Sequence, residues 1–263
     1  MIRCRVVYFR DLIPLSAVLI TLDEERNLGA ALESVAFCDE VVIVDAGSKD
    51  RTRELATASG ARVLLNTPWP GFVEQRTRAV AEARHDWVLC LDADERVTPE
   101  LRREIETLRA TAFGHPGYRI PRVTHYLGRW IRGTDWYPDR QLRLFDRGKG
   151  RWQGGSVHES VRVEGTVGTL HGELEHRPYR DISHHLDTID RYTTLWASQA
   201  AREGRTSGLW RAALTPAWTF FRNYLLKGGI SLGGPGLIVS VMNSYYTFLK
   251  LAKLRELRQS GPA

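Results

Sequence analysis

Between residues 15 and 97 short β-branched apolar runs alternate with stretches whose apolar positions recur at helical spacing. The pattern predicts strands at 15–22, 40–44, 62–65 and 87–91, and helices over 27–36, 50–59, 71–84 and 99–109. Strand and helix in strict alternation require right-handed crossovers, and therefore an α/β fold whose mostly parallel sheet is covered by helices. Such a sheet binds its ligand beyond the carboxyl ends of its strands. The polar residues fit that rule, because Thr21, Asp23 and Glu24 follow the first strand, Asp45-Ala46-Gly47-Ser48 the second, and Asp92-Ala93-Asp94-Glu95 the fourth.

Beyond residue 110 the pattern loosens. Strands are expected at 117–123, 141–145, 156–163 and 167–175 in a region rich in glycine and aromatic residues. Helical spacing returns over 181–202, 209–226 and 236–256, the last two flanking the breaker GGISLGGPG. The N-terminal MIRCRVVYFRDLIPLSAVLI places basic residues before an apolar run, but Arg10 and Asp11 interrupt it and no small-residue cleavage site follows, so a first core strand is expected.

With 263 residues and 43% hydrophobic content the chain can fill a sizeable core. Cys4, Cys38 and Cys90 form no CxxC pair and read as free thiols. The net charge of +6 is uneven: from Gly204 to Arg255 there are seven basic residues and no acidic one.

Three carboxylates in Asp92-Ala93-Asp94-Glu95 repel one another unless something positive is close. Two aspartates at i and i+2 leaving a strand can share one hard divalent cation, magnesium or manganese, whose open positions take substrate phosphates. An acidic cap of the helix near Pro99 explains the same residues, and a lone D-x-D does not decide between the two. In VVIVDAGSKDRT, Gly47 permits a tight turn and Ser48 or Asp50 can cap a helix, but a simple junction gives no reason for Asp45.

TLDEERNL (21–28), VVIVDAGSKDRT (41–52), GFVEQRTRAV (71–80) and DWVLCLDADE (86–95) resemble, in order, the motifs of family 2 glycosyltransferases. PDRQLRLFDRG (138–148), GGSVHESV (154–161) and LEHRPYRD (174–181) resemble more narrowly the branch that includes lipopolysaccharide-core glucosyltransferases. The resemblance covers about residues 14–200 and implies the GT-A fold. It implies a catalytic domain at 1–205, divided into a nucleotide-binding half (1–110) and an acceptor-binding half (111–205), with a basic amphipathic helical extension at 206–263. It also implies that Thr21, Glu24, Asp45, Arg76 and Asp92 line the nucleotide-sugar pocket and that Asp94, with Asp92, holds the metal. Arg143 in RLF is a candidate for the donor diphosphate, with a surface strand arginine as the alternative. Glu159 is the candidate general base; Asp135 and Asp139 are reserves. Asp23 and Thr77 depart from the family pattern, where asparagine is usual, and leave the donor base open.

The expected activity is inverting transfer of a sugar, a UDP-hexose foremost, to a membrane-associated glycan or lipid-linked acceptor such as lipopolysaccharide core. A metal-dependent nucleotidyltransferase or phosphohydrolase is the alternative, against which stands the lack of a Walker-type loop; a non-catalytic nucleotide-sugar-binding scaffold is another. The histidines at 171, 176, 184 and 185 have no metal-ligand spacing and are expected to be satisfied or exposed, and the aromatics Trp130, Trp136, Tyr137 and Trp152 suit either sugar stacking or core packing. From Gly228 to Leu249 no charge occurs for 22 residues, but glycines and Pro235 break the run. Its helical apolar face, with neighbouring lysines and arginines, suggests a segment lying on an anionic membrane, which places the protein in the cytoplasm at the inner face of the cell membrane. The alternative is a helical pair packed on the catalytic domain. Nucleic acid is a poor partner, because the basic residues are interleaved with large aliphatics rather than gathered in a polar stripe.

Overall fold

The computed structural model describes residues 12–154 and 159–259, so the expectations for Cys4, for the run through Asp11 and for the first three residues of the 156–163 strand lie outside the described residues. Two compact units divide the chain: residues up to 122 together with 140–176, and residues 123–139 together with 177 onward. Residues 177–205 thus group with the C-terminal helices, whereas the expected division fell at residue 205.

In the first unit, β1 (Leu15–Thr21) pairs in parallel with β2 (Glu40–Asp45) and with β4 (Trp87–Asp92), and β2 pairs in parallel with β3 (Arg62–Leu65). The connecting helices are α1 (Leu28–Ser34), α2 (Thr52–Ala58) and α3 (Phe72–Glu82), as the alternation requires. Strand parity divides the core. Leu15, Ala17, Leu19, Ile43, Leu89 and Leu91 pack on one face with α1 and α4 (Pro99–Thr111), while Val18, Val42, Val44, Val88 and Cys90 pack on the other with Ala79 and Val80 of α3. Burial pushes the Cys90 thiol up to about 12, and Cys38 likewise, so both behave as free, inert thiols.

The sheet continues from β4 through β8 (Asp139–Asp146) and β6 (Gly117–Tyr126) to β12 (Leu174–His176) and β5 (Glu95–Val97). β5 is a departure from expectation. Residues 95–97 leave the acidic turn as a strand antiparallel to β12, and the cap of α4 is Thr98, whose hydroxyl accepts the Leu101 N–H at 3.2 Å. The strand expected over 167–175 is two, β11 (Val167–Thr169) beside β6 and β12 beside β5. Between them Gly172 lies so close to α4 that a side-chain carbon there would sit 2.3 Å from Leu101 Cα, and Glu104 accepts the N–H groups of His171 and Gly172 at 2.9 and 3.0 Å. A two-stranded ribbon, β9 (Gly150–Gly154) with β10 (Glu159–Val163), completes this unit.

The second unit contains the end of β6, paired antiparallel with β7 (Arg129–Ile131), and the helices α5 (Ile182–Arg202), α6 (Leu209–Phe221) and α7 (Gly233–Gln259). α6 runs into a π-turn at Arg222–Leu226 and a 3-10 turn at Gly229–Leu232. α7 starts at Gly233, three residues before the expected start, with Pro235 in its first turn where a missing N–H costs nothing.

Arg109 of α4 is buried and secures the entry to the sheet. Its guanidinium donates to the carbonyls of Ile13 at 2.8 Å and Phe37 at 2.9 Å and to Asp39 Oδ2 at 2.5 Å. Arg109→Leu leaves those acceptors unmet, and we expect a loss of about 2–3 kcal/mol, since Asp39 keeps some contact with water. Urea unfolding at unchanged m checks this; an unchanged midpoint would contradict the role.

Candidate functional site

The parallel register brings three strand tips together: Thr21 stands opposite Asp45, and Ile20 opposite Asp92. Asp45 is fully buried, and both of its oxygens are used. Oδ2 accepts the hydroxyls of Thr21 at 2.9 Å and Ser48 at 2.5 Å, and Oδ1 accepts the N–H groups of Gly47 and Ser48 at 3.0 and 2.9 Å. Gly47 has φ +98°, the conformation this turn demands, and a side-chain carbon there would meet Thr67 at 2.9 Å.

The next residues stitch the first two loops together. Ser48 Oγ, Thr52 Oγ1 and Asp50 Oδ2 accept the N–H groups of Asp23, Glu24 and Glu25 at 2.9, 2.8 and 3.0 Å, and Asp23 Oδ1 accepts the Lys49 N–H at 2.7 Å. Asp23 is held at φ +55°, a conformation that aspartate tolerates better than most side chains. Glu24 is thereby fixed facing an acidic neighbourhood. Burial raises its carboxyl to about 7, against a hydrogen bond from Asn27, and the charges of Asp94, Asp92 and Asp50 raise it further.

Asp92 is the centre of the site. Arg76 of α3 reaches Oδ1 at 2.5 Å and Arg143 of β8 reaches Oδ2 at 2.7 Å. Burial opposes ionisation of Asp92, but Arg143, Arg76 and then Arg122 hold it far below the usual carboxylate range. Glu95, fully buried, balances the cations: Oε1 accepts from Arg143 at 2.9 Å and Arg122 at 2.8 Å, and Oε2 accepts the Asp92 N–H at 3.0 Å. Arg143 is 4% exposed, which excludes the surface-strand alternative. The Trp152 ring of β9 backs both arginines, with Arg76 at 4.7 Å and Arg143 at 5.9 Å from its centroid. Glu159 opens β10, with Oε1 3.7 Å from Arg76.

Asp94 lies outside this clamp and meets His176 of β12, whose Nε2 is 3.3 Å from Asp94 Oδ2. A carboxylate oxygen and an imidazole nitrogen this close can serve one divalent cation, manganese more readily than magnesium because of the nitrogen donor. Among the described residues no group of three or more His, Cys, Asp or Glu is arranged to hold a metal, so such a cation would complete its shell with substrate oxygens and water.

All eight residues singled out in the sequence therefore lie in the first compact unit. The tertiary contacts divide the two aspartates of DAD, with Asp92 on arginines and Asp94 on His176. Sequence reasoning missed Glu95 as a buried counter-charge, Arg122, Trp152 as a backing ring and His176. Three carboxylates in four residues were the one signal for Glu95. The reserve carboxylates are in the second unit, where Asp135 is taken by Arg222, by Lys227 at 2.8 Å and by Asn223 at 2.8 Å. Trp136 and His185 are core residues there: Trp136 donates to Asn243 at 3.0 Å, and His185 bonds the Tyr126 hydroxyl at 2.9 Å, burial pushing its imidazole down to about 4.

Comparison with known proteins matches residues 16–163 to the model of glycosyl transferase family 2. The lipopolysaccharide core biosynthesis glycosyltransferase LpsC of Rhizobium meliloti (strain 1021) is 33% identical over 248 residues, 92% of each chain. An uncharacterized glycosyltransferase of Rickettsia typhi is 29% identical, covering 92% of this chain and 87% of its own. Among solved structures, glucosyl-3-phosphoglycerate synthase from Mycobacterium tuberculosis, in complex with Mn2+, UDP and glucosyl-3-phosphoglycerate, superposes with a TM-score of 0.50 at 19% identity, over 74% of this chain and 82% of that one. At that identity the likeness is one of fold.

The raised Glu24 carboxyl has a thermodynamic sign. Between the unfolded value of 4.5 and about 7 the folded protein holds the extra proton, so stability falls as pH rises through that window and levels off above it. Glu24→Gln should remove this fall, making the variant more stable than the parent at pH 8 in chelator by on the order of 1–2 kcal/mol, because solvent screens part of the cost. Parallel stability–pH curves for the two proteins would contradict it.

Proposed function

From a chain that belongs to glycosyl transferase family 2 and has a GT-A-like fold, we propose an inverting, divalent-cation-dependent transferase. It moves a hexose from a UDP-sugar to a membrane-associated glycan or lipid-linked acceptor of the lipopolysaccharide-core type. The observation that carries this reading is the division of labour at the tip of β4, where Asp92 is clamped by Arg76 and Arg143 while Asp94 pairs with His176. The likeness to LpsC supports the acceptor class, and the UDP and Mn2+ named with the mycobacterial synthase structure support the donor and the cation.

On this reading the nucleoside lies over the tips of β1 and β2. Thr21 and Asp45 form the wall beside the base, and Glu24, set in its stitched loop, closes the pocket. Asp94 and His176 would hold the cation, which when bound would supply Lewis-acid stabilisation of the charge on the departing diphosphate. Arg76 and Arg143 present guanidinium N–H donors next to the same phosphates, with Asp92 and Glu95 holding them in place.

Glu159 acts from the acceptor side. It takes the proton of the acceptor hydroxyl as that oxygen bonds to the anomeric carbon; the carbon–oxygen bond to the diphosphate breaks on the opposite face, and the electron pair leaves with the diphosphate. One displacement from the opposite face inverts the anomeric centre. A phosphohydrolase working at the same site would spend the donor without forming a glycoside, which separates that alternative by its product.

Asp94→Ala should abolish manganese-dependent binding of UDP-hexose by calorimetry, and retained tight binding would remove Asp94 from the cation site. Glu159→Gln should keep donor affinity within about twofold while lowering transfer by roughly 10²- to 10⁴-fold. NMR of the product should show the anomeric configuration opposite to that of the donor; retention would overturn single displacement.

A further inference from the structure

In the second unit α6 has an inverted polarity. α6 buries only small or polar side chains, Ala212, Pro216 and Thr219, where it packs on α7. Its large apolar residues recur at i, i+4, i+8 and i+11 on the outside: Trp210, Leu214, Trp218 and Phe221, with exposures of 79%, 64%, 53% and 43%. α7 repeats the pattern in part: Gly236, Ser240 and Thr247 face inward beside the buried Val239, Leu251 and Leu254, while Leu237, Val241, Tyr245 and Phe248 lie outward.

Small residues and hydroxyls join these helices. A side-chain carbon at Gly236 would lie 1.9 Å from the Gly229 carbonyl, the Ser244 hydroxyl donates to the Pro216 carbonyl at 2.8 Å, and the Asn243 amide donates to Asn223 Oδ1 at 3.0 Å. In water, burial of large apolar area would drive the opposite arrangement. Close backbones joined by small residues, with large side chains outward, are what helices adopt when their surroundings are as apolar as leucine.

Charge identifies the surroundings further. Lys253 is neutralised by Asp190 at 2.7 Å, and Arg222 and Lys227 share the single carboxylate of Asp135. Arg205 and Lys250 lie over Trp196, 4.9 Å and 5.2 Å from its ring centroid, and Arg211 is near enough to Lys250 for its charge to act on it. Glu203 approaches Arg205 only at 3.7 Å, and among the described residues no carboxylate pairs with Arg211 or Lys250. Burial, then Arg205 and Arg211, holds the Lys250 ammonium below the ordinary lysine range, a crowding that an anion would relieve. Among the described residues no single helix is long and apolar enough to cross a membrane, and α6 with its π-turn meets the following helical segment at 66°. Such a bent pair can lie within one leaflet.

We propose that the outward faces of α6 and α7 dock into one leaflet of an anionic phospholipid bilayer, with Arg205, Arg211 and Lys250 taking lipid phosphates at its surface. Peripheral attachment of this kind would bring a lipid-linked acceptor to the enzyme by diffusion in two dimensions, but it needs neither donor nor acceptor. Its failure would therefore leave the transfer reaction untouched.

Flotation of the full chain on a density gradient, with vesicles of phosphatidylcholine alone or mixed with phosphatidylglycerol, tests it. The parent should float with the mixed vesicles, and brominated lipid in them should quench its tryptophan fluorescence. Arg211→Gln with Lys250→Gln should weaken binding to the mixed vesicles by about fivefold per charge removed. Trp210→Ser with Trp218→Ser should lose flotation while keeping the parent's circular dichroism and its rate of donor hydrolysis. A parent that stays with the soluble protein would overturn the proposal. So would a parent that sediments as a dimer and becomes monomeric on Trp210→Ser with Trp218→Ser, because the face would then be covered by a second copy of the chain.

Discussion

The ionised Asp92 at the tip of β4 sets the terms for the rest of the first compact unit. A carboxylate largely enclosed by protein survives only with positive charge in contact, and Arg76 and Arg143 supply it from a helix and from a strand distant in sequence. Two guanidiniums taken out of water need their own compensation, which Glu95 provides from full burial. With Arg122 and Glu159 added, three guanidiniums face three carboxylates in one connected set. Trp152 covers both Arg76 and Arg143, so these two guanidiniums are shielded from water as well as balanced.

That balance explains why the remaining carboxylates behave differently. Asp94, two residues further along, points away from the arginines and meets His176. Glu24 is largely buried and faces Asp94, Asp92 and Asp50, with Asn27 as its one donor among the described residues, and its carboxyl accordingly rises. A region of uncompensated negative charge thus adjoins a compensated cluster, which is the electrostatic arrangement that a divalent cation carrying a diphosphate complements. Membership of glycosyl transferase family 2 gives that arrangement a chemical use.

Much of this was legible before folding. Short apolar runs alternating with stretches of helical spacing imply the parallel sheet, and the three acidic turns at its carboxyl edge follow from that local pattern. Asp45, Arg76, Asp92, Asp94, Arg143 and Glu159 were singled out by their motifs, and the fold places them in one compact unit. Their partners were not singled out. Glu95 reads as a cap because nothing nearby in sequence requires a buried counter-charge; Arg122 and Arg143 come from strands 27 and 48 residues away. Likewise His176, among scattered histidines, acquires meaning only because β12 pairs with β5 and carries it to Asp94.

The C-terminal helices show the same division in another form. Composition alone established a basic segment with no acidic residue from Gly204 to Arg255, and periodicity established that its large apolar side chains share a face. Neither could say whether that face looks inward. Packing decided it: Gly236 against the Gly229 carbonyl, and Ala212, Pro216 and Thr219 toward α7, turn the small residues in and leave Trp210, Leu214 and Trp218 outside. Local pattern determines which residues form strands and helices and which side chains move together, because backbone geometry has a fixed period. Which carboxylate is neutralised, which stays outside the arginine clamp and which helix face meets the surroundings depend on residues far apart in the chain. Only the closed tertiary structure brings their charges and surfaces into contact.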